Sequence, residues 1–220
     1  MITWHHTFRA NWREALSEKY FGLKYVVNLS VLFSLYMLIV QFLVWNRFRS
    51  GAILQDPVQQ LFTPRDFSFW VFSFTYLCAI TFVIYIAARP RDFYHASRAF
   101  TFVFVLRAVF IYTIPLLPPI DTIPLRDPFL VFLVGEKKDI LNDLFYSGHL
   151  TDLSIFIFCC RAKPLKYFYI VAALIVAVML VWQHVHYTAD VLAAPFFAYV
   201  FYALLAKNQI DRPQEFKPAQ

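Results

Sequence analysis

Residues 168–190 read FYIVAALIVAVMLVWQHVHYTAD. From Phe168 to Val185 there is no charged side chain. A run of about 18 apolar residues is long enough, as a helix, to cross a hydrocarbon core of roughly 30 Å. The polar cluster His184 to Asp190 interrupts the run, and apolar sequence resumes from Val191 to Ala206. Two helices joined by a tight polar reversal are expected here, with the reversal at a membrane surface.

The same pattern recurs upstream. Spans are expected at Leu23–Trp45, Phe67–Ala88, Ala99–Leu117, Ser147–Cys160, Phe168–Val185 and Tyr187–Ala206. The fold class is therefore all-α, a polytopic membrane protein built as a six-transmembrane-helix bundle. Residues 1–206 form one domain, in which 1–22 is an interfacial lead-in whose mixture of His5, His6, Arg9, Arg13, Glu14 and Glu18 with aromatics does not read as a cleavable signal. Residues 207–220 read as a polar cytoplasmic tail. With 60% hydrophobic and only 15% charged residues, the composition excludes an ordinary water-soluble domain.

Basic residues orient the bundle. One side carries Arg9, Arg13, Lys19 and Lys24, then Arg89, Arg91 and Arg98, then Arg161, Lys163 and Lys166, and finally Lys207, Arg212 and Lys217. The other carries Arg47, Arg49 and Arg65 with Arg126, Lys137 and Lys138, fewer than half as many. The positive-inside rule makes both termini cytoplasmic. The net charge of +6 is scattered over short loops, so it speaks for topology and anionic headgroups and not for nucleic acid. Cys78, Cys159 and Cys160 lie in apolar segments and read as small core residues. The prolines at 118, 119, 124 and 128 break any helix between Pro115 and Tyr146 and indicate a folded loop on the outer face.

Chemistry concentrates at two helix starts. Ser147-Gly148-His149 opens the fourth span and His186-Tyr187-Thr188-Ala189-Asp190 opens the sixth, so both sit at one depth on the extracytoplasmic face. His186 and Asp190, spaced i,i+4, share a helix face, so the carboxylate can take the ring N–H and leave the other nitrogen free to attack phosphorus. An Asp within an apolar segment is costly and is retained mostly for function or pairing. At a helix mouth, Ser147, Gly148 and His149 can cradle an anionic phosphate, and His149 can act as general acid. Asp152 can orient that ring.

His184 is expected to contact a headgroup or fill the interface. The H-x-H pair it forms with His186 has the donor types of a metal site with Asp190 or Asp152, but no metal and no other cofactor is expected. Arg107 is an intramembrane cation, either a phosphate ligand or the partner of a carboxylate such as Asp143. Tyr146 and Tyr187 can face a quaternary ammonium, or can belong to an ordinary interfacial aromatic belt.

Tyr146-Ser147-Gly148-His149 followed by His186-Tyr187-Thr188-Ala189-Asp190-Val191 resembles the sphingomyelin synthase family, within the superfamily of type 2 phosphatidic acid phosphatases. Asp143, six residues before His149, fits that family's D-x-x-[FY]-S-G-H element, and Arg107 with Tyr112 and a Pro-containing exit extends the likeness over all the expected spans. The resemblance implies His149, His186 and Asp190 as a metal-free catalytic triad. It implies transfer of phosphocholine or a similar headgroup from a phospholipid donor to a ceramide or diacylglycerol acceptor.

The chain departs from the superfamily's classical phosphatases. Leu180 stands where they carry an arginine six residues before the second histidine, Phe82 stands where their lysine is, and Leu150 replaces the threonine common after S-G-H. A monoester, with nearly two negative charges, demands several cations, whereas a diester carries one. The thin cation set, Arg107 with Lys137 or Lys138 as candidate helpers, therefore points to a transferase. The alternatives are a lipid phosphatase or phospholipase C-like hydrolase with the same triad, and a non-enzymatic transporter or assembly factor. Both monomers and homodimers are compatible with such a bundle.

Overall fold

The computed structural model describes residues 2–125 and 141–207, with the side chains of 2–7 left aside. Among the described residues the regular structure is helical: α1 (Ile2–Ser17), α2 (Phe21–Asn46), α3 (Ser68–Ala87), α4 (Pro90–Thr113), α5 (Gly148–Cys159), α6 (Lys163–Trp182) and α7 (Thr188–Ala206), with one 3-10 turn at Gln59–Leu61. Five of them, α2, α3, α4, α6 and α7, are long and apolar enough to cross a membrane.

The six expected spans thus become five helices of spanning length and one short helix. α5 has 12 residues, about 18 Å at 1.5 Å per residue. That does not cross a hydrocarbon core. It packs instead against α7, α6, α3 and α4, with Leu150, Leu153, Ile155, Phe156 and Cys159 buried. Ringed by longer helices, it has no need to reach both surfaces, and its non-helical lead-in lies against protein, where irregular backbone is tolerated at membrane depth.

Boundaries shifted elsewhere for physical reasons. α4 starts at Pro90, not Ala99, because a proline is well suited to a first helical turn and Asp92 complements the positive end of the dipole. The charges of Arg91, Asp92 and Arg98 had hidden this turn. The helix stops at Thr113 because Ile114 precedes Pro115 and is pushed out of helical geometry. The lead-in is helical: α1 turns into α2 at Tyr20, whose φ is 69°, and docks on the α3–α4 turn through Asn11 and Trp12, which donate to the carbonyls of Ala88 and Ala87 at 2.8 Å each. Arg91 pairs with Glu14 and Glu18 at the same end.

The bundle therefore has two ends. α1, the α3–α4 turn and the α5–α6 turn gather at one, where Arg161 pairs with the buried Asp92 at 3.5 Å. The 47–67 loop, residues 114–125, residues 141–147 and the 183–187 reversal gather at the other. There Ala52 forms a parallel bridge with Leu116. A side chain at Gly51 would place its Cβ 2.6 Å from the Pro115 carbonyl oxygen, so the crossing requires glycine. Arg126, Lys137, Lys138 and the 208–220 tail lie outside the described residues.

Candidate active site

The α6–α7 reversal is held from three directions. Gln183, fully buried, accepts from the Phe67 N–H at 2.9 Å and donates to Ser68 Oγ and the Ile123 carbonyl at 3.0 and 3.2 Å. His184 takes a left-handed φ of 58°. Its ring nitrogens face the carbonyls of Ile120 at 3.3 Å and Gln59 at 3.2 Å, and its own carbonyl accepts from the Thr122 hydroxyl at 2.8 Å. The Tyr187 hydroxyl donates to the Leu117 carbonyl at 3.0 Å and accepts from the Leu54 N–H at 3.1 Å.

Asp56 caps the start of α7. Its carboxylate accepts the Thr188 N–H at 2.6 Å and the Thr188 hydroxyl at 3.1 Å. Burial alone would push this carboxyl up, but the hydrogen bonds from Thr188 and from the N–H groups of Val58 and Gln59 outweigh it and hold it below the ordinary carboxylate value. Gln59, three residues on, donates through Nε2 to the His186 carbonyl at 3.0 Å. Nothing in the sequence signals these contacts, since Asp56 and Thr188 are 132 positions apart.

On this platform His186 is almost fully buried and its Nδ1 lies 3.5 Å from Asp190 Oδ2. The same oxygen accepts the Tyr187 N–H at 3.1 Å, which anchors the carboxylate within the first turn of its own helix. At 3.5 Å the histidine contact is an ion-pair distance, longer than a formed hydrogen bond. Contacts of this kind tighten as charge develops on the ring.

The second histidine is brought to the first by backbone. The Ser147 N–H donates to the Asp190 carbonyl at 3.2 Å, so the start of α5 is tied directly to the first turn of α7. His149 follows in the first turn of α5, its ring edge-on to Phe72 with centroids 5.8 Å apart. Arg107 of α4 secures the approach. Its Nε donates to the Tyr146 carbonyl at 2.6 Å, and its Nη2 pairs with Asp143 Oδ1 at 2.6 Å. Gly148 packs over this guanidinium, a Cβ there lying 3.4 Å from Cζ.

His149, His186, Arg107, Asp143, Gly148 and Asp152 line one cavity of about 320 Å³. Asp190 stands behind His186, fully buried. Four other residues singled out from the sequence do not line it. The Tyr146 hydroxyl donates to the Val103 carbonyl at 2.8 Å, and its ring stacks on Phe197. Tyr187 and His184 are committed to the loops as described, so His184 and His186 do not converge on a common ligand. Ser147 contributes its backbone, with its side chain fully buried. Residues that sequence reasoning missed include Phe72, Tyr36 and Phe104, which form much of the wall, and Thr75, which lines it with a buried hydroxyl. They looked like ordinary lipid-facing or core positions.

The fold and site define a helical membrane protein with two histidines and an intramembrane arginine around one cavity. The family model described as PAP2 superfamily C-terminal matches residues 142–207, the stretch that holds both histidine motifs. This match supports the type 2 phosphatidic acid phosphatase superfamily, and with it an activity of the lipid phosphatase or phosphotransferase type. Neither a curated protein nor a solved structure matches the chain.

Proposed function

We propose that the chain is a membrane lipid phosphotransferase of the sphingomyelin synthase type, moving a phosphocholine- or phosphoethanolamine-like headgroup from a glycerophospholipid to ceramide or diacylglycerol. The observation that carries this is His186, backed by Asp190 at 3.5 Å, sharing a cavity with His149 and Arg107. With Nδ1 turned to the carboxylate, Nε2 carries the lone pair for attack on phosphorus. The P–N bond forms as the P–O bond to diacylglycerol breaks, and His149 gives its proton to the departing oxygen. His149 then takes the proton of the acceptor hydroxyl, whose oxygen attacks the phosphohistidine and releases His186. Asp190 stabilises the positive charge on His186 throughout.

Charge favours the diester. Arg107 already shares its cation with Asp143, and Leu180, at the position of the classical phosphatase arginine, is fully buried among apolar residues. Among the described residues, one shared cation and a helix start suit a monoanion better than a dianionic monoester. The excess of basic residues at the α1 end supports assigning that end to the cytoplasm and the site to the extracytoplasmic face.

The test is lipid product analysis on membranes containing the chain, given labelled phosphatidylcholine or phosphatidylethanolamine with ceramide or diacylglycerol. A new headgroup-bearing lipid, absent with His149→Ala or His186→Ala, is the expected result. Release of free phosphocholine or phosphoethanolamine in its place would reject the transferase in favour of a hydrolase. A wild-type chain with no turnover would reject both.

A further inference from the structure

The cavity extends well past the ionised groups. α2 and α4 reach the site end with their C-termini and α3 with its N-terminus, so Tyr36, Phe104 and Tyr76 lie deeper than Leu43, Arg107 and Phe72. From Phe72 to Ala79 the wall runs seven residues along α3, about 10 Å. Polarity falls along this arm. Its rim is Arg107, Asp143 and the two histidines, and its depths are aromatic and aliphatic.

Thr75 breaks that pattern. It is nine-tenths buried, it lines the arm, and its hydroxyl has no hydrogen-bond partner among the described residues. Other helical hydroxyls in this chain, those of Ser73, Thr81, Thr101, Thr113, Thr151 and Ser154, bond back to the carbonyl four residues earlier. The Thr75 hydroxyl does not make this bond. A buried hydroxyl left unpaired is costly, so a group that meets it inside the cavity would be recognised. Along α3 it stands three residues beyond Phe72, whose ring touches His149, about 4.5 Å deeper along the helix axis.

A phosphate followed within a few ångströms by a carbonyl and then by hydrocarbon is the order of groups in a membrane phospholipid. We propose that the inward arm is a subsite for the lipid backbone next to the headgroup, with the Thr75 hydroxyl donating to an acyl carbonyl and the walls of Tyr36, Tyr76 and Phe104 enclosing the first part of the chain. The proposal rests on the lipid phosphotransferase reading of the same site. It makes Thr75 the residue that reads the linkage, while the histidines act on the phosphate.

The test compares diacyl phosphatidylcholine with its diether counterpart, which lacks both carbonyls, on the full chain in lipid nanodiscs. Binding is read by displacement of a fluorescent phospholipid, and headgroup transfer is followed in parallel. The wild type should bind the diacyl lipid roughly two- to tenfold more tightly, the range one neutral hydrogen bond supplies. Thr75→Val should bring diacyl binding down to the diether level while leaving diether binding unchanged, and Thr75→Ser should restore the preference. Should Thr75→Val fail to fold, Thr75→Ala removes the hydroxyl in the same comparison. A preference that survives loss of the hydroxyl, or no preference in the wild type, overturns the subsite. Thr75-dependent binding without any headgroup transfer would instead sink the phosphotransferase reading and leave the subsite standing. Transfer without Thr75-dependent preference would do the reverse.

Discussion

Replacing Asp190 by Asn tests the core of the mechanism with little disturbance of the fold. The asparagine oxygen can still accept the Tyr187 N–H that Asp190 Oδ2 holds at 3.1 Å, so the first turn of α7 keeps its internal cap. What is lost is a full negative charge 3.5 Å from His186 Nδ1. Coulomb's law at an effective dielectric of about 20 gives roughly 5 kcal/mol for such a pair, an upper figure because the amide dipole replaces part of it. With the amide oxygen in that place, Nδ1 still faces a neutral acceptor, but the charge that would stabilise the imidazolium is gone. A fall in kcat of about 10²- to 10³-fold is expected, at 1.4 kcal/mol per decade. The assay is single-turnover transfer from a fluorescent phospholipid, with thermal melting in detergent as the control for folding. A decrease smaller than about fivefold in a well-folded variant would refute the role given to the carboxylate, because the geometry then supplies no charge stabilisation at His186.

Further variants address the parts around the proposed triad. Arg107→Ala leaves Asp143 and the Tyr146 carbonyl without their partner and should destabilise the protein by about 3 kcal/mol, seen as a lower Tm. Arg107→Lys, which lacks the fork, should recover only part of this loss and of the activity. Gly51→Ala forces a Cβ to within 2.6 Å of the Pro115 oxygen and should cost about 1–3 kcal/mol in a melting experiment, where an unchanged Tm would show that the loop crossing can yield. Because the folded Asp56 carboxyl lies below its ordinary value, its hydrogen bonds contribute stability above the unfolded pKa, and that stability is lost as pH falls toward the folded one. Melting followed from neutral pH down through the carboxylate range should therefore fall more steeply for the wild type than for Asp56→Asn. Asp56→Ala, which uncaps α7 beside His186, should lower kcat with little change in KM; the opposite split would mean that the loop serves binding and not the placement of His186.

What was legible in the sequence was whatever rests on local pattern. Apolar runs located α2, α3 and α7 to within two residues, because a membrane segment must satisfy its backbone within itself and so advertises its length, whereas α6 begins five residues before the expected Phe168, at Lys163 with Pro164 in its first turn. The i,i+4 pairing of His186 with Asp190 was equally local. The bounds of the short α5 were legible too, expected at Ser147–Cys160 and found at Gly148–Cys159, but the ring of longer helices that encloses it was not, because those neighbours come from distant parts of the chain. Tyr146 and Tyr187 were offered for a cationic headgroup because aromatics near a surface suit one, yet their hydroxyls are taken by carbonyls at 103 and 117. Those acceptors belong to a distant helix and a distant loop. Thr75 and Asp56 were invisible for the same reason: a hydroxyl or carboxylate is marked by what it meets in space.

The loops do more than close the site end of the bundle. His186 precedes the N-cap residue Tyr187, and a residue so placed would ordinarily share in the fraying of the helix end, since the first four N–H groups of a helix lack internal partners. Here the chain supplies partners from outside and from within, with Asp56 on the Thr188 N–H and Asp190 on the Tyr187 N–H. Two carboxylates thus sit at the positive end of the α7 dipole, flanking the residue proposed to become cationic. Gln59 fixes the His186 carbonyl, and the Ser147–Asp190 backbone bond transmits that position to the start of α5. The proposed lipid arm between α2, α3 and α4 lies apart from these ties. Variation in acyl length should therefore alter binding, while the placement of the two histidines around phosphorus stays the same.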